Sequence, residues 1–265
     1  MIHIAITAGG TEEAIDGIRK ITNTSSGSLG WHCLEAVLNY MRKHNNSDFI
    51  VHYIKAPKAV TKKLSKQEEA LVSFVDVTNT QSVYDCVKKL MDEVNIDVFI
   101  HAMAISDFSY SYSASISSLA EEIYQSIIKD ENISKKRIEA ILTNPENKHG
   151  ADEKISSSKE IVMGFKTTPK VISLIKKKNP GTFLVGFKLV KHNKDNNLIK
   201  EAEKLRLTND CDAVFANESS QLSEKHHAGI LVYNGEIVAR PIGKKQIAEA
   251  IARVALNEKL KGKLS

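Results

Sequence analysis

The sequence predicts an α/β fold in which helices cover both faces of a doubly wound, mainly parallel sheet. Three observations predict it. Short β-branched runs alternate with amphipathic stretches, the pattern of βαβ units. The run Val98-Phe99-Ile100-His101-Ala102 is nearly all apolar, as strands are when helices shield them on both sides. The first strand-like run, Ile2 to Thr7, ends in Ala8-Gly9-Gly10, where a tight backbone turn can present N–H groups to an anion.

The elements follow in order. After the first strand, a helix is expected from about Leu29 to Lys43, with Leu34, Val37, Leu38 and Met41 at helical spacing. Phe49 to Ile54 forms a second strand and Leu71 to Val77 a third. Thr78 or Thr80 then caps a helix running to about Val94. Asp97 to Ala102 is the fourth strand. Residues 108–160 break the rhythm, being rich in Ser, Lys and Glu with one helix near Leu119 to Ile128, and segments of this kind serve as lids, insertions or binding loops. The alternation resumes with a helix over Pro169 to Lys178, a strand over Phe183 to Leu189, a helix over about Asn197 to Leu207 and a strand over Asp212 to Ala216. Asn234-Gly235 between two β-rich runs marks a hairpin. A last helix spans about Lys244 to Lys259, with Ile247, Ala250, Ile251 and Val254 on one face. The expectation is a single domain over 1–265: a three-layer, Rossmann-like sheet with an inserted flexible segment at 108–160 and a C-terminal β-hairpin.

Composition narrows the function classes. Of 265 residues, 42% are apolar and 26% charged, an ordinary globular balance. Thirty-seven Lys+Arg against 32 Asp+Glu leave +5, spread along the chain, which favours an anionic ligand without forming a nucleic-acid footprint. No apolar run approaches membrane-span length, and the N-terminus lacks signal-peptide character. Cys33, Cys86 and Cys211 are scattered and form no CxxC, so neither a disulfide framework nor a structural zinc site is expected. The expected setting is cytoplasmic, with no nucleic-acid or membrane partner.

Three segments carry chemistry. Gly9-Gly10-Thr11 follows the first strand, yet there is no G-x-G-x-x-G, no acid ending the second strand and no phosphate-loop lysine motif. The alternative reading is a Gly-Gly turn serving geometry alone. Arg19 to Gly30 joins a cation, an amide, hydroxyls and glycines ahead of a helix. That composition suits a phosphate cradle with Arg19 as a clamp, or an N-cap loop in which Ser25, Ser26 or Ser28 caps the helix. The fourth strand ends in Ala102-Met103-Ala104-Ile105-Ser106-Asp107, whose small residues admit a planar group. Asp107 there either accepts hydrogen bonds from a ligand or caps a turn. His101 reads as a core residue, and His226-His227 as a polar loop pair.

Together these segments resemble the signature of the phosphopantothenate–cysteine ligase family. Ile6 to Thr11, Ile15-Asp16, Arg19 and Ile21 to Gly27 open the likeness. It continues through His101 to Asp107, Lys154-Ile155-Ser156-Ser157, Lys166-Thr167-Thr168-Pro169-Lys170, Gly186-Phe187-Lys188-Leu189 and Ala216-Asn217-Glu218. The ordered blocks run from residue 2 to about residue 218. Many bacterial members are fused behind a flavin-dependent decarboxylase, whereas here the motif begins at the first strand. The resemblance is to the stand-alone bacterial form, and no flavin is expected.

The resemblance implies that 4′-phosphopantothenate is joined to L-cysteine, with Mg²⁺ and a nucleoside triphosphate, CTP or alternatively ATP. An acyl-nucleotide forms with release of pyrophosphate, and cysteine's amine then displaces the nucleoside monophosphate. It assigns Asn23 to the intermediate, Lys154 to a covering segment over the triphosphate, and Arg19 to pantothenate across a homodimer with shared sites. Gly9, Gly10, Thr11, Ser25, Ser26 and Gly27 would hold phosphates. Ala102, Met103, Ala104 and Asp107 would line the nucleotide and pantothenate site. Lys166, Thr167, Thr168, Pro169 and Phe187 would form the base pocket, although Phe187 also reads as plain core. Lys204 matches the first of two family lysines, with Thr208 where the second would stand, and Ser156-Ser157-Ser158 follows Lys154 where fused members carry Lys-Lys. No metal ligands are assigned. Two other classes compete: a nicotinamide-dependent oxidoreductase, disfavoured by the missing dinucleotide fingerprint, and a non-catalytic nucleotide-binding regulator.

Overall fold

The computed structural model describes residues 1–130, 132–150, 160–191, 195–219 and 227–260. In chain order its elements are β1 (Ile2–Ala8), β2 (Glu12–Ala14), β3 (Lys20–Thr22), α1 (Ser28–Lys43), β4 (Phe49–Lys55), α2 (Lys66–Glu69), β5 (Val72–Asp76), α3 (Thr80–Glu93), β6 (Val98–His101) and β7 (Phe108–Ser115). There follow α4 (Ile116–Lys129), α5 (Lys135–Thr143), β8 (Ile161–Thr167), α6 (Val171–Lys178), β9 (Phe183–Val190), α7 (Asp195–Asn209), β10 (Ala213–Glu218), β11 (Gly229–Tyr233), β12 (Glu236–Ala239) and α8 (Lys244–Leu260). They fall into two compact units, the larger from residues 1–11, 23–105 and 170–265, the smaller from 12–22 and 106–169.

The larger unit is built on an eight-stranded sheet ordered β12-β11-β10-β9-β6-β1-β4-β5. Strands β5 to β10 of that order run parallel, and β11 and β12 add antiparallel. Period-two alternation sends successive side chains of β1 to opposite faces. Ile4 and Ile6 pack with Trp31 and Leu34 of α1 and Ile247 and Ile251 of α8. Ala5 faces the other core, with Val83 and Val87 of α3, Ile175 of α6 and Ala202 of α7. The predicted doubly wound, three-layer architecture is therefore present. Asn234 (φ 52°) and Gly235 (φ 79°) both take the left-handed conformation that a two-residue hairpin turn requires.

Some boundaries differ from the sequence reading, for physical reasons. The cap of α3 is Asn79, not Thr78 or Thr80. Its side chain accepts from Ser82 N–H at 2.8 Å while Ser82 Oγ accepts from Asn79 N–H at 3.1 Å, and Thr80 is wholly buried. Helix α6 starts at Val171, two residues after Pro169. The single turn α2 was not foreseen, although Ser65-x-x-Glu68 forms a reciprocal capping box there.

The smaller unit contains two antiparallel pairs, β2–β3 and β7–β8, with α4 and α5. Ile15 and Tyr110 form its apolar centre with Ile21, Ile161 and Met163. The one helix expected near Leu119 to Ile128 is α4, capped by Ser115 and preceded by an unforeseen strand. Among the described residues, no helix is long and apolar enough to cross a membrane.

Candidate active site

In the larger unit, β1 lies between β4 on one side and β6 on the other, so the winding direction reverses between β1 and β6. In open parallel sheets ligands bind beyond the carboxyl ends of the strands at that reversal. Here the two strand ends are knitted together. Gly10 bridges Ala104, Ala104 N–H donates to Gly9 O at 2.8 Å, and Thr11 N–H donates to Ala104 O at 3.1 Å.

Asn23 returns to the same edge, its N–H donating to Thr11 O at 3.4 Å. A Cβ built on Gly10 would lie 2.2 Å from the Asn23 carbonyl oxygen, so only glycine lets these backbones approach. Gly10→Ala is expected to destabilise the protein by about 1–3 kcal/mol through that backbone clash. Gly17→Ala is the control, since its added methyl meets nothing within 4 Å. Urea denaturation compares the two, and equal midpoints would refute the close-approach account.

The second predicted loop ends at the N-terminus of α1. Gly27, at φ 71°, is the residue that caps the helix, and no side chain caps it. The serine-cap reading therefore gives way to a left-handed glycine turn. Ser25 and Ser26 instead accept from the Gly27 and Ser28 N–H groups at long distances, 3.4 Å each. A Cβ on Gly27 would stand 2.8 Å from the Ala59 Cβ and 3.1 Å from Gly9 N, which places the two glycine loops side by side. First-turn amides carry the positive end of the helix dipole and are suited to an anion.

Beneath these loops lies a buried relay that the sequence did not reveal. Met103 N–H donates to Thr7 Oγ1 at 3.2 Å, and Thr7 Oγ1 is 3.0 Å from His101 Nδ1. Burial lowers the His101 pKa to about 4, so the ring is neutral near pH 7. His101 is a core histidine, as expected. Met103 is also buried, so its side chain packs in the core while its backbone shapes the loop. The Thr11 hydroxyl likewise turns inward, 3.5 Å from Thr80 Oγ1.

Other predicted residues spread along the same sheet. Phe187 is half-buried on β9, its ring 6.0 Å from that of Phe215, and packs against the core. Lys204 is exposed on α7. His227 corrects the polar-loop reading: it is buried, stacked on Phe215 and 3.4 Å from Asn217 Nδ2. His226 lies outside the described residues. Lys244, at the start of α8, reaches Ser28 Oγ at 2.7 Å. Burial pushes the thiols of Cys33 and Cys211 up to about 12, which makes both poor nucleophiles.

In the smaller unit, Arg19 Nε and Nη2 reach Asp16 Oδ2 at 2.9 and 2.5 Å, and Asp16 Oδ1 accepts the Arg19 N–H at 2.7 Å. Hydrogen bonds from Arg19 hold the Asp16 carboxyl down at about 2. Asp107 and Lys166 to Pro169 meet at one end of the β7–β8 ladder. There Thr168 N–H donates to Asp107 O at 3.1 Å and Thr168 Oγ1 to Ser106 O at 2.6 Å. Lys154 lies outside the described residues. Among those described, no group of three or more His, Cys, Asp or Glu side chains is gathered to hold a metal ion.

A doubly wound sheet with two glycine loops at its reversal point defines an α/β protein of the class whose ligand sites lie at that reversal. The chain belongs to a particular family of that class, described as the DNA/pantothenate metabolism flavoprotein C-terminal domain, whose profile matches residues 1–118 and 118–258. It is 25% identical over 254 residues to the coenzyme A biosynthesis bifunctional protein CoaBC of Thermococcus kodakarensis, covering 94% of this chain and 49% of that protein. The chain thus spans about half the length of that relative. The crystal structure of the DNA/pantothenate metabolism flavoprotein from Streptococcus pneumoniae superposes with a TM-score of 0.77 at 29% identity, covering 97% of this chain and all of that one. A Cab2 variant in complex with phosphopantothenate-cysteine shares the fold, with a TM-score of 0.67 at 15% identity over 98% of this chain and 87% of that one.

Proposed function

We propose that this chain is a phosphopantothenate–cysteine ligase of coenzyme A biosynthesis, working in the cytoplasm as a homodimer. The observation that carries the reading is the meeting of Gly9-Gly10, Asn23 and the glycine-capped start of α1 at one sheet edge, in a chain of this family. The role named for the Thermococcus relative, and the ligand named in the Cab2 complex, support the same reaction.

A carboxylate is a poor acylating agent because its leaving group would be oxide or hydroxide. Its oxygen therefore attacks the α-phosphate of a nucleoside triphosphate, CTP in preference to ATP, and pyrophosphate leaves. The amine of L-cysteine then attacks the acyl carbon, the nucleoside monophosphate departs with the former carboxylate oxygen, and the amine gives up a proton. The Gly9-Gly10-Thr11 and Ser25-Ser26-Gly27 backbones receive phosphate oxygens, with Ala102, Met103 and Ala104 shaping the neighbouring wall. The Asn23 amide donates to the acyl oxygen without being a nucleophile itself. Phe187 offers an aromatic face to the base and Lys204 a cation. Within the smaller unit, Asp107 and Lys166 to Pro169 are assigned to nucleotide and pantothenate recognition, Arg19 to pantothenate of the neighbouring subunit, and Lys154 to covering the triphosphate. Mg²⁺ would offset triphosphate charge. Such an ion keeps waters and binds chiefly to substrate phosphates, which suits a chain without a gathered carboxylate cage among its described residues.

The test is pyrophosphate release with 4′-phosphopantothenate, L-cysteine and Mg²⁺, run with CTP and with ATP. Release that requires phosphopantothenate and is faster with CTP is expected. Faster release with ATP would keep the reaction and overturn the base preference, and no release from folded protein would overturn the ligase.

A further inference from the structure

We propose that Lys244 is a phosphate-binding residue of this site, its ammonium contacting a phosphate group of a substrate seated over the first turn of α1. The proposal rests on the ligase reading and adds to it a residue that neither the loop motifs nor the order of the family blocks singles out.

The argument is electrostatic. Lys244 is half-buried, and its Nζ donates to Ser28 Oγ at 2.7 Å, at the first residue of α1. Ser28 Oγ in turn accepts from Ser26 Oγ at 3.1 Å, so the lysine is tied to the hydroxyls of the cradle. Lys244 also opens α8. Two helix N-termini and an ammonium thus converge, and neither helix has an acidic residue in its first turn. No carboxylate among the described residues forms an ion pair with Lys244. A cation at the positive end of a helix is unfavourable, since anions belong there and cations at the opposite end. The neighbouring imidazole feels the same field: burial and then the Lys244 charge lower the His227 pKa. A dianionic or trianionic phosphate at the α1 amides turns this surplus of positive potential into binding energy, with the ammonium as a point-charge partner. Lys245, next in sequence, is exposed.

Two substrates carry phosphate, the nucleotide and 4′-phosphopantothenate, while cysteine carries none. The experiment compares Lys244→Gln, Lys244→Arg and the control Lys245→Gln in the pyrophosphate-release assay, measuring KM for each substrate. Lys244→Gln is expected to raise KM for one phosphorylated substrate roughly ten- to a hundredfold, the loss of one charge-assisted contact. The KM for cysteine should stay within a factor of two, Lys244→Arg should recover most of the loss, and Lys245→Gln should match the wild type. The substrate whose KM moves identifies the phosphate. Unchanged KM values would overturn the proposal, as would an equal rise for cysteine, which marks a structural role. A second readout separates this from the ligase reading: millimolar inorganic pyrophosphate should raise the Tm of the wild-type protein and not that of Lys244→Gln. If the wild type releases no pyrophosphate but still shows that difference, the ligase reading fails and the Lys244 site stands. Equal shifts in the two proteins would overturn the site.

Discussion

Replacing Asn23 by alanine lowers turnover about a hundred- to a thousandfold and leaves nucleotide affinity within a factor of two, the expected result if its amide acts on the reacting acyl group. The size is that of removing one preorganised donor from a developing oxyanion. Its backbone N–H reaches Thr11 O and its carbonyl packs on Gly10, and alanine keeps both of these contacts. Nucleotide binding is measured by titration calorimetry and turnover by pyrophosphate release. A catalytically silent nucleotide-binding regulator has no use for the amide and would show no effect of this kind. Turnover equal to the wild type would remove Asn23 from the mechanism. Loss of nucleotide binding and turnover together would make it a ligand of the nucleotide rather than of the reacting group.

Much of the fold was legible because its signals are local. Apolar residues at helical spacing, such as Leu34, Val37, Leu38 and Met41, went where their period sent them, into the core beneath α1. Asn234-Gly235 declared its hairpin because few residues accept two successive left-handed conformations. The glycine loops were legible as loops, but their union was not. Gly10 and Asn23 are thirteen positions apart with β2 and β3 between them, and nothing in composition reports that one carbonyl lies against one missing Cβ. The Thr7–His101 contact joins residues ninety-four positions apart, which no period or spacing encodes. His227 read as a solvated loop residue because its neighbours are polar, yet a stack on Phe215 and the approach of Asn217 bury it. Lys244 begins a helix beside another lysine, a pattern usual on wet surfaces, and only the approach of α1 sets it apart. Local propensity places the elements, and long-range packing decides which of their ends meet.

The buried relay makes the stability of the protein depend on pH in a stated window. His101 is neutral in the folded protein, with its pKa lowered from 6.5 to about 4 by burial. Between those values the unfolded chain binds a proton that the folded chain does not. Stability is therefore full above about pH 6.5, falls as pH drops towards about 4, and levels off below it with respect to this group. The loss is about 2–3 kcal/mol at pH 4.5. His52 and His227 are also lowered, chiefly by burial, and add to the loss in the same direction. The lowered carboxyls of Asp16, Glu35, Glu68 and Asp92 act at more acid pH, because their stabilisation is lost only as pH falls below the ordinary carboxylate range. Thr7 Oγ1 accepts the Met103 N–H and lies 3.0 Å from His101 Nδ1, a contact that a neutral ring can make in either tautomer. His101→Asn places an amide near the position of Nδ1 without a titrating ring. Urea denaturation at pH 7.5 and 4.5 should therefore show a drop about 2 kcal/mol smaller in the variant than in the wild type. The same drop in both would mean that His101 is not the buried, neutral partner of Thr7. Since Thr7 holds Met103 between Ala102 and Ala104, acid should also loosen the β6 end of the site, and nucleotide affinity should decline over the same pH window in the wild type more than in His101→Asn.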